Sequence, residues 1–105
     1  MSTTGEEITV PSREDVAIVA PTGELDLAGA PAFRESIARA LATNPTALEI
    51  DLAEVTFLDS SALSVIVSAW RESTERGMSF RLTNPVRNVR RVLEITDLDR
   101  PVDDR

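Results

Sequence analysis

The 105-residue chain has no cysteine and no histidine, and its eleven basic residues are all arginine because lysine is missing too. Without cysteine there are no disulfides and no thiol chemistry. Without either residue the usual zinc ligand sets cannot be assembled. A Ser-His triad within the chain is excluded for the same reason, and no lysine stands in as an alternative base. Glycine and proline number only four and six, so there is no low-complexity bias, and no internal repeat runs at a solenoid period. No uninterrupted apolar run approaches the roughly 20 residues that a membrane helix needs. The opening MSTTGEEITV is acidic and lacks the charged and apolar regions of a secretory signal.

A hydrophobic fraction of 42% can support a core, and the length suits one compact domain across residues 1–105. The net charge of -7 opposes direct nucleic-acid binding, which depends on Lys and Arg neutralising phosphates. It disfavours an anionic membrane surface as well. These features lead us to expect a soluble cytoplasmic domain with no cofactor and no metal.

Ile8 and Val10 flank Thr9, and "VAIVA" at 16–20 follows a polar turn, "PSRED". The pattern predicts two short strands joined by a tight connection. "PTGELDLAGAP" breaks the pattern with two prolines and two glycines and reads as a loop. From Pro31 the spacing turns helical, with Phe33, Ile37 and Leu41 four apart until Asn44 and Pro45 stop it. "ALEIDL" alternates Leu48, Ile50 and Leu52 against Glu49 and Asp51, and "MSFRLT" repeats the design. Each is a strand with one buried face.

Between those strands, Leu63, Ile66, Val67 and Trp70 mark the buried stripe of a helix from about Ser60 to Arg76, with Gly77 as its C-terminal cap. "NPVRNVRRVLEI" predicts a last helix with Asn84 as N-cap, Pro85 at the first position, and Val86, Val89 and Leu93 inward. Arg87, Arg90 and Arg91 fall on its other side, which reads as a solvated face. Residues 1–6 and 101–105 are expected to fray. Strand-helix-strand crossovers make the central strands parallel, giving a small α/β domain.

The stretch "LDSSAL" at 58–63 joins a strand end to a helix start. The simplest reading is a cap: Asp59 accepts backbone N–H groups while Ser60 and Ser61 sit in the first turn. A nucleophilic serine needs a base that this chain lacks, and the flanks are not a Gly-x-Ser-x-Gly elbow. A phosphoacceptor fits better. A hydroxyl at a helix N-terminus is accessible to a kinase, and a phosphate there adds about -1.5 to -2 charge beside Asp59.

Four separated blocks, "GELDL" at 23–27, "LEIDLAEVTFLDSSAL" at 48–63, "GMSFRLTNP" at 77–85 and "VRRVLEITDLDR" at 89–100, resemble successive parts of STAS domains, specifically bacterial anti-sigma factor antagonists. The resemblance implies a STAS-type fold, a small mixed β-sheet with helices packed mainly on one face. It further implies a partner-switching cycle. The unphosphorylated protein binds an anti-sigma factor that is also a serine kinase and so releases a sigma factor. Phosphorylation ends that binding and a serine phosphatase restores it.

Carried over residue by residue, Ser60 is the phosphoacceptor, and Asp26, Asp59, Ser60, Ser61 and Ala62 form the partner-binding surface. Two departures stand out. Ala62 replaces the glycine that usually follows the two serines, which adds a methyl where a partner backbone could approach. The C-terminal helix that many members carry is not seen after the last block. Two rivals stay open: a STAS signalling module of another assembly that phosphorylation does not control, and a small serine hydrolase, opposed by the missing bases.

Overall fold

The computed structural model describes residues 15–103. Its elements are β1 (Val16–Val19), β2 (Gly23–Leu25), α1 (Ala30–Leu41), β3 (Ala47–Asp51), β4 (Val55–Leu58), α2 (Ser60–Glu75), β5 (Ser79–Thr83), α3 (Arg87–Ile95) and β6 (Val102–Asp103). Strands β1, β3, β5 and β6 lie side by side in that order, and β2 pairs separately with β4. All of these pairings are parallel. The strand expected at Ile8 and Val10, which would make the sheet mixed, lies outside the described residues.

The alternation in β3 and β5 sets the two faces of the larger sheet. Leu48 sits opposite Phe80 and Ile50 opposite Leu82, while Glu49 faces Arg81 and Asp51 faces Thr83. Leu48, Ile50 and Leu82 share one core with Phe33, Ile37 and Leu41 of α1, Val65 and Ile66 of α2, and Val89 and Leu93 of α3. The helices therefore cover one face. On the other, Arg81 pairs with Glu49 at 3.4 Å and with Asp103 at 3.9 Å.

Helix α1 buries the stripe expected of it, but α2 is rotated. Its buried residues are Ala62, Val65, Ile66, Ala69 and Ser73, and Leu63, Val67 and Trp70 line the margin, half-buried. Small residues at 62 and 69 let the helix approach the sheet closely, and Trp70 stacks on Phe80 at its edge, ring centroids 6.2 Å apart. At the end of α2, Gly77 takes φ 73°, with Met78 N–H donating to the Ser73 carbonyl (2.8 Å) and Gly77 N–H to that of Thr74 (3.1 Å). This paired closure satisfies carbonyls that the helix leaves open.

Helix α3 closes the same way, with Leu98 N–H to Leu93 O at 2.7 Å and Asp97 N–H to Glu94 O at 3.1 Å. Here the left-handed position, φ 62°, is held by Asp97 instead of a glycine. The start of α3 differs from the expectation. Asn84 is itself left-handed, φ 57°, and its side chain donates to Asp51 Oδ1 at 3.2 Å. Val86 holds the cap position with no side-chain bond and is exposed, so the inward stripe begins at Val89.

Residues 101–103, expected among the frayed tails, are joined to β5. Leu82 N–H donates to the Pro101 carbonyl at 2.9 Å, and Val102 and Asp103 align with Leu82 and Thr83. No helix among the described residues is long and apolar enough to cross a membrane.

Candidate functional site

The loop expected at "GELDL" contains β2, and the strand end before Asp59 is a strand of its own, β4. The two were hard to see because neither alternates. Gly23 opens β2 at φ 79°, and its N–H donates to Glu54 O at 2.8 Å. In β4 the register jumps from Gly23 opposite Val55 to Glu24 opposite Phe57, so Thr56 is an extra residue. This bulge explains why Val55 and Leu58, three apart, both point into the core. The Thr56 carbonyl is taken up by Asn88 Nδ2 of α3 at 2.8 Å.

The bulge also sets where the chain emerges. Leu25 and Leu58 are the last register pair of β2 and β4, and Asp59 N–H donates to Leu25 O at 3.2 Å. Asp26 and Asp59 therefore leave the two strands side by side, Asp59 as the cap of α2 and Asp26 at the head of the turn that leads into α1.

Asp59 is extended, and its Oδ1 accepts from Ser61 N–H at 2.9 Å and Ala62 N–H at 3.2 Å. Its main-chain carbonyl takes the first helical bond, from Leu63 N–H at 3.0 Å. This is the N-cap anticipated from the sequence. Asp26 anchors the turn that enters α1: its carbonyl accepts from Gly29 N–H at 3.0 Å and Ala30 N–H at 2.9 Å, and its Oδ1 also accepts from Gly29 N–H, at 3.1 Å.

Among the residues singled out from the sequence, Ser60 is exposed, Ser61 is half-buried, and Asp26 and Asp59 are half-buried. Ala62 is different, with 0% exposure and its methyl in the core. The expectation that this methyl meets a partner is therefore corrected: it packs beneath the helix start, on the side away from solvent. Two exposed apolar residues stand in the same two chain segments as Asp26 and Asp59. Leu27, at the tip of the Asp26–Gly29 turn, is 74% exposed, and Phe57, turned outward by the bulge, is 45% exposed.

The backbone N–H groups of Ser61 and Ala62 at the helix start are both taken by Asp59 Oδ1. The arrangement offers an accessible hydroxyl on a rim beside two carboxylates. Such a hydroxyl is open to another protein's surface.

Comparison with known proteins agrees with this architecture. The model of the family described as STAS domain matches residues 7–103. The anti-sigma-F factor antagonist RsfB of Mycobacterium tuberculosis is 36% identical over 93 residues, spanning 89% of this chain and 75% of that protein. The crystal structure of an anti-sigma factor antagonist from Mycobacterium paratuberculosis superposes with a TM-score of 0.76 at 29% identity, covering 87% of this chain and 77% of that one. The anti-sigma factor antagonist SpoIIAA shares the fold in its unphosphorylated form (TM-score 0.75, 24% identity, 86% and 79% covered) and in its phosphorylated form (TM-score 0.69, 22% identity, 93% and 87% covered). Matched over residues 7–103, the chain belongs to the STAS domain family.

Proposed function

We propose that this chain is an anti-sigma factor antagonist, a regulatory binding protein of the cytoplasm and not an enzyme, whose affinity for its partner is set by phosphorylation of Ser60. In this reading the whole chain is one STAS domain. Unmodified, it binds an anti-sigma factor that is also a serine kinase and thereby frees a sigma factor. The kinase transfers the γ-phosphoryl group of ATP to Ser60 Oγ, leaving ADP and a proton, and the complex falls apart. A serine phosphatase resets the cycle.

The observation that carries the reading is the exposure of Ser60 at the first position of α2, beside the half-buried Asp59 and Asp26. The names of the relatives support the class of partner, and a fold like this one accommodates phosphate, since SpoIIAA is known in both forms. Ser61 is the weaker acceptor because it is half-buried.

Physical chemistry gives the switch its sign. A phosphate brings about -1.5 to -2 charge to a rim that already holds two carboxylates, and the two amides best placed to solvate it already serve Asp59. A kinase that phosphorylates Ser60 must also bring its nucleotide's phosphates up to that hydroxyl, so the product meets like charge at close range. A loss of only about 3 kcal/mol weakens binding more than a hundredfold.

The test is binding of Ser60→Ala and Ser60→Asp to the cognate anti-sigma factor. Alanine is expected to bind like the unmodified protein and aspartate poorly; equal binding by both contradicts the switch.

A further inference from the structure

We infer that Leu27 and Phe57 are the apolar anchors of this chain on its anti-sigma factor, and that Asp26 and Asp59 act chiefly by holding these anchors and Ser60 in place. The inference rests on the reading of Ser60 as the centre of the interface, and it assigns the contact to residues that this reading does not name.

Single exposed apolar side chains are ordinary on a protein surface. These two differ in how the chain presents them. Leu27 occupies a turn tip, where a polar residue is the default, and it stays 74% exposed. The turn is tied down by three bonds into Asp26, from Gly29 N–H to the carbonyl (3.0 Å) and to Oδ1 (3.1 Å), and from Ala30 N–H to the carbonyl (2.9 Å). Such a knob is ordered before any partner arrives, so little entropy is lost when it is buried.

Phe57 is turned outward by the bulge at Thr56, while its neighbours Val55 and Leu58 go to the core. The bulge is in turn held by Asn88. Both anchors lie on the chain segments that frame Ser60: Leu27 follows Asp26, Phe57 precedes Leu58 and Asp59, and Asp59 is bonded to Leu25.

The charges around them indicate what kind of surface docks. Glu24 is the register partner of Phe57, and Asp26 and Asp59 complete an acidic rim. Carboxylates at an interface need donors in exchange for water, so the partner surface is an apolar pocket bordered by basic or N–H-rich groups. A second copy of this chain brings the same acids and a net charge of -7, which opposes self-association through this face. This leaves the anti-sigma factor of the proposed function as the occupant we assign. Buried aromatic and aliphatic anchors commonly carry most of an interface's affinity.

The test is isothermal titration of the full chain into its cognate anti-sigma factor, comparing the unmodified protein with Leu27→Ser and Phe57→Ser. Ile18→Ser on β1 and Ile95→Ser at the end of α3 are the controls, since those residues are 60% and 76% exposed but lie on other parts of the fold. Leu27→Ser and Phe57→Ser are expected to weaken binding at least tenfold each with unchanged thermal midpoints, and the controls to bind normally. Should Phe57→Ser unfold the chain, Leu27→Ser alone decides.

Normal binding by Leu27→Ser, with Ser60→Asp still defective, overturns the anchors and leaves the Ser60 switch standing. Equal losses in the controls overturn the location. A dimer in sedimentation that Leu27→Ser dissolves makes a second copy the occupant and overturns the assignment. An unmodified chain that binds no anti-sigma factor of its organism brings down the switch and the anchors together.

Discussion

Replacing Asp59 by alanine removes one side chain that serves two amides, Ser61 N–H at 2.9 Å and Ala62 N–H at 3.2 Å. Loss of an N-cap costs about 0.5–2 kcal/mol. Both amides lie at a partly buried helix start, where water replaces the carboxylate incompletely, so the upper part of that range applies, about 1.5 kcal/mol. Asparagine keeps an acceptor oxygen in the same position and loses only the interaction of the charge with the helix N-terminus, about 0.5 kcal/mol at low salt.

For a chain of this size, 1 kcal/mol moves the midpoint by about 4–8 °C. Asp59→Ala is thus expected to melt about 6–12 °C lower, and Asp59→Asn about 2–4 °C lower. Thermal unfolding followed by circular dichroism at two salt concentrations checks this, and the asparagine deficit should shrink as salt screens the charge. An alanine variant as stable as the parent, or asparagine as harmful as alanine, refutes the capping account of Asp59.

Asp97 sits at φ 62° in the closure of α3, a conformation that glycine adopts at less cost than aspartate. Asp97→Gly is expected to raise stability by about 1 kcal/mol in urea unfolding, and destabilisation would show that its side chain contributes more than its backbone costs. Asn88→Ala removes the 2.8 Å bond to the bulged Thr56 carbonyl and should cost about 1 kcal/mol. Because that bond steadies Phe57, the same variant should also weaken binding to the anti-sigma factor; a stability loss with unchanged affinity separates the bulge from the interface.

The elements that could be read from the sequence are those whose pattern one face of the core dictates. In β3 and β5, alternate residues meet the helices, and in α1 every fourth residue meets the sheet. Helix α2 was legible as a helix, but its stripe was assigned to the bulkiest residues. Close packing on the sheet instead selects Ala62 and Ala69, displacing Trp70 to the margin. Strand β4 carries a bulge, which puts Val55 and Leu58 on the same side and erases the period of two. Strand β2 begins at a left-handed glycine, and β6 has two residues, too few for any pattern. Asn84 looks like a cap because Asn-Pro commonly precedes helices, yet the turn out of β5 uses its tolerance for the left-handed region.

At the candidate site, the cap formed by Asp59 was legible because an acid before a helical stripe has one obvious use. The adjacency of Asp26 and Asp59 was legible only through the family resemblance, since physically it depends on the β2–β4 register. The burial of Ala62, which follows from the rotation of α2, was not legible. Leu27 and Phe57 did leave a trace: a leucine in a segment of turn residues, and an aromatic at a position that strict alternation with Leu58 would place outside.

The most direct measurement is intact mass and peptide mapping after incubation with ATP and the serine-kinase anti-sigma factors of the same organism. The account predicts a single added phosphate, on Ser60, and a modified protein that no longer binds the kinase. No modification by any of them, beside a control antagonist that is phosphorylated, contradicts it, as does a phosphate on Ser60 that leaves binding unchanged.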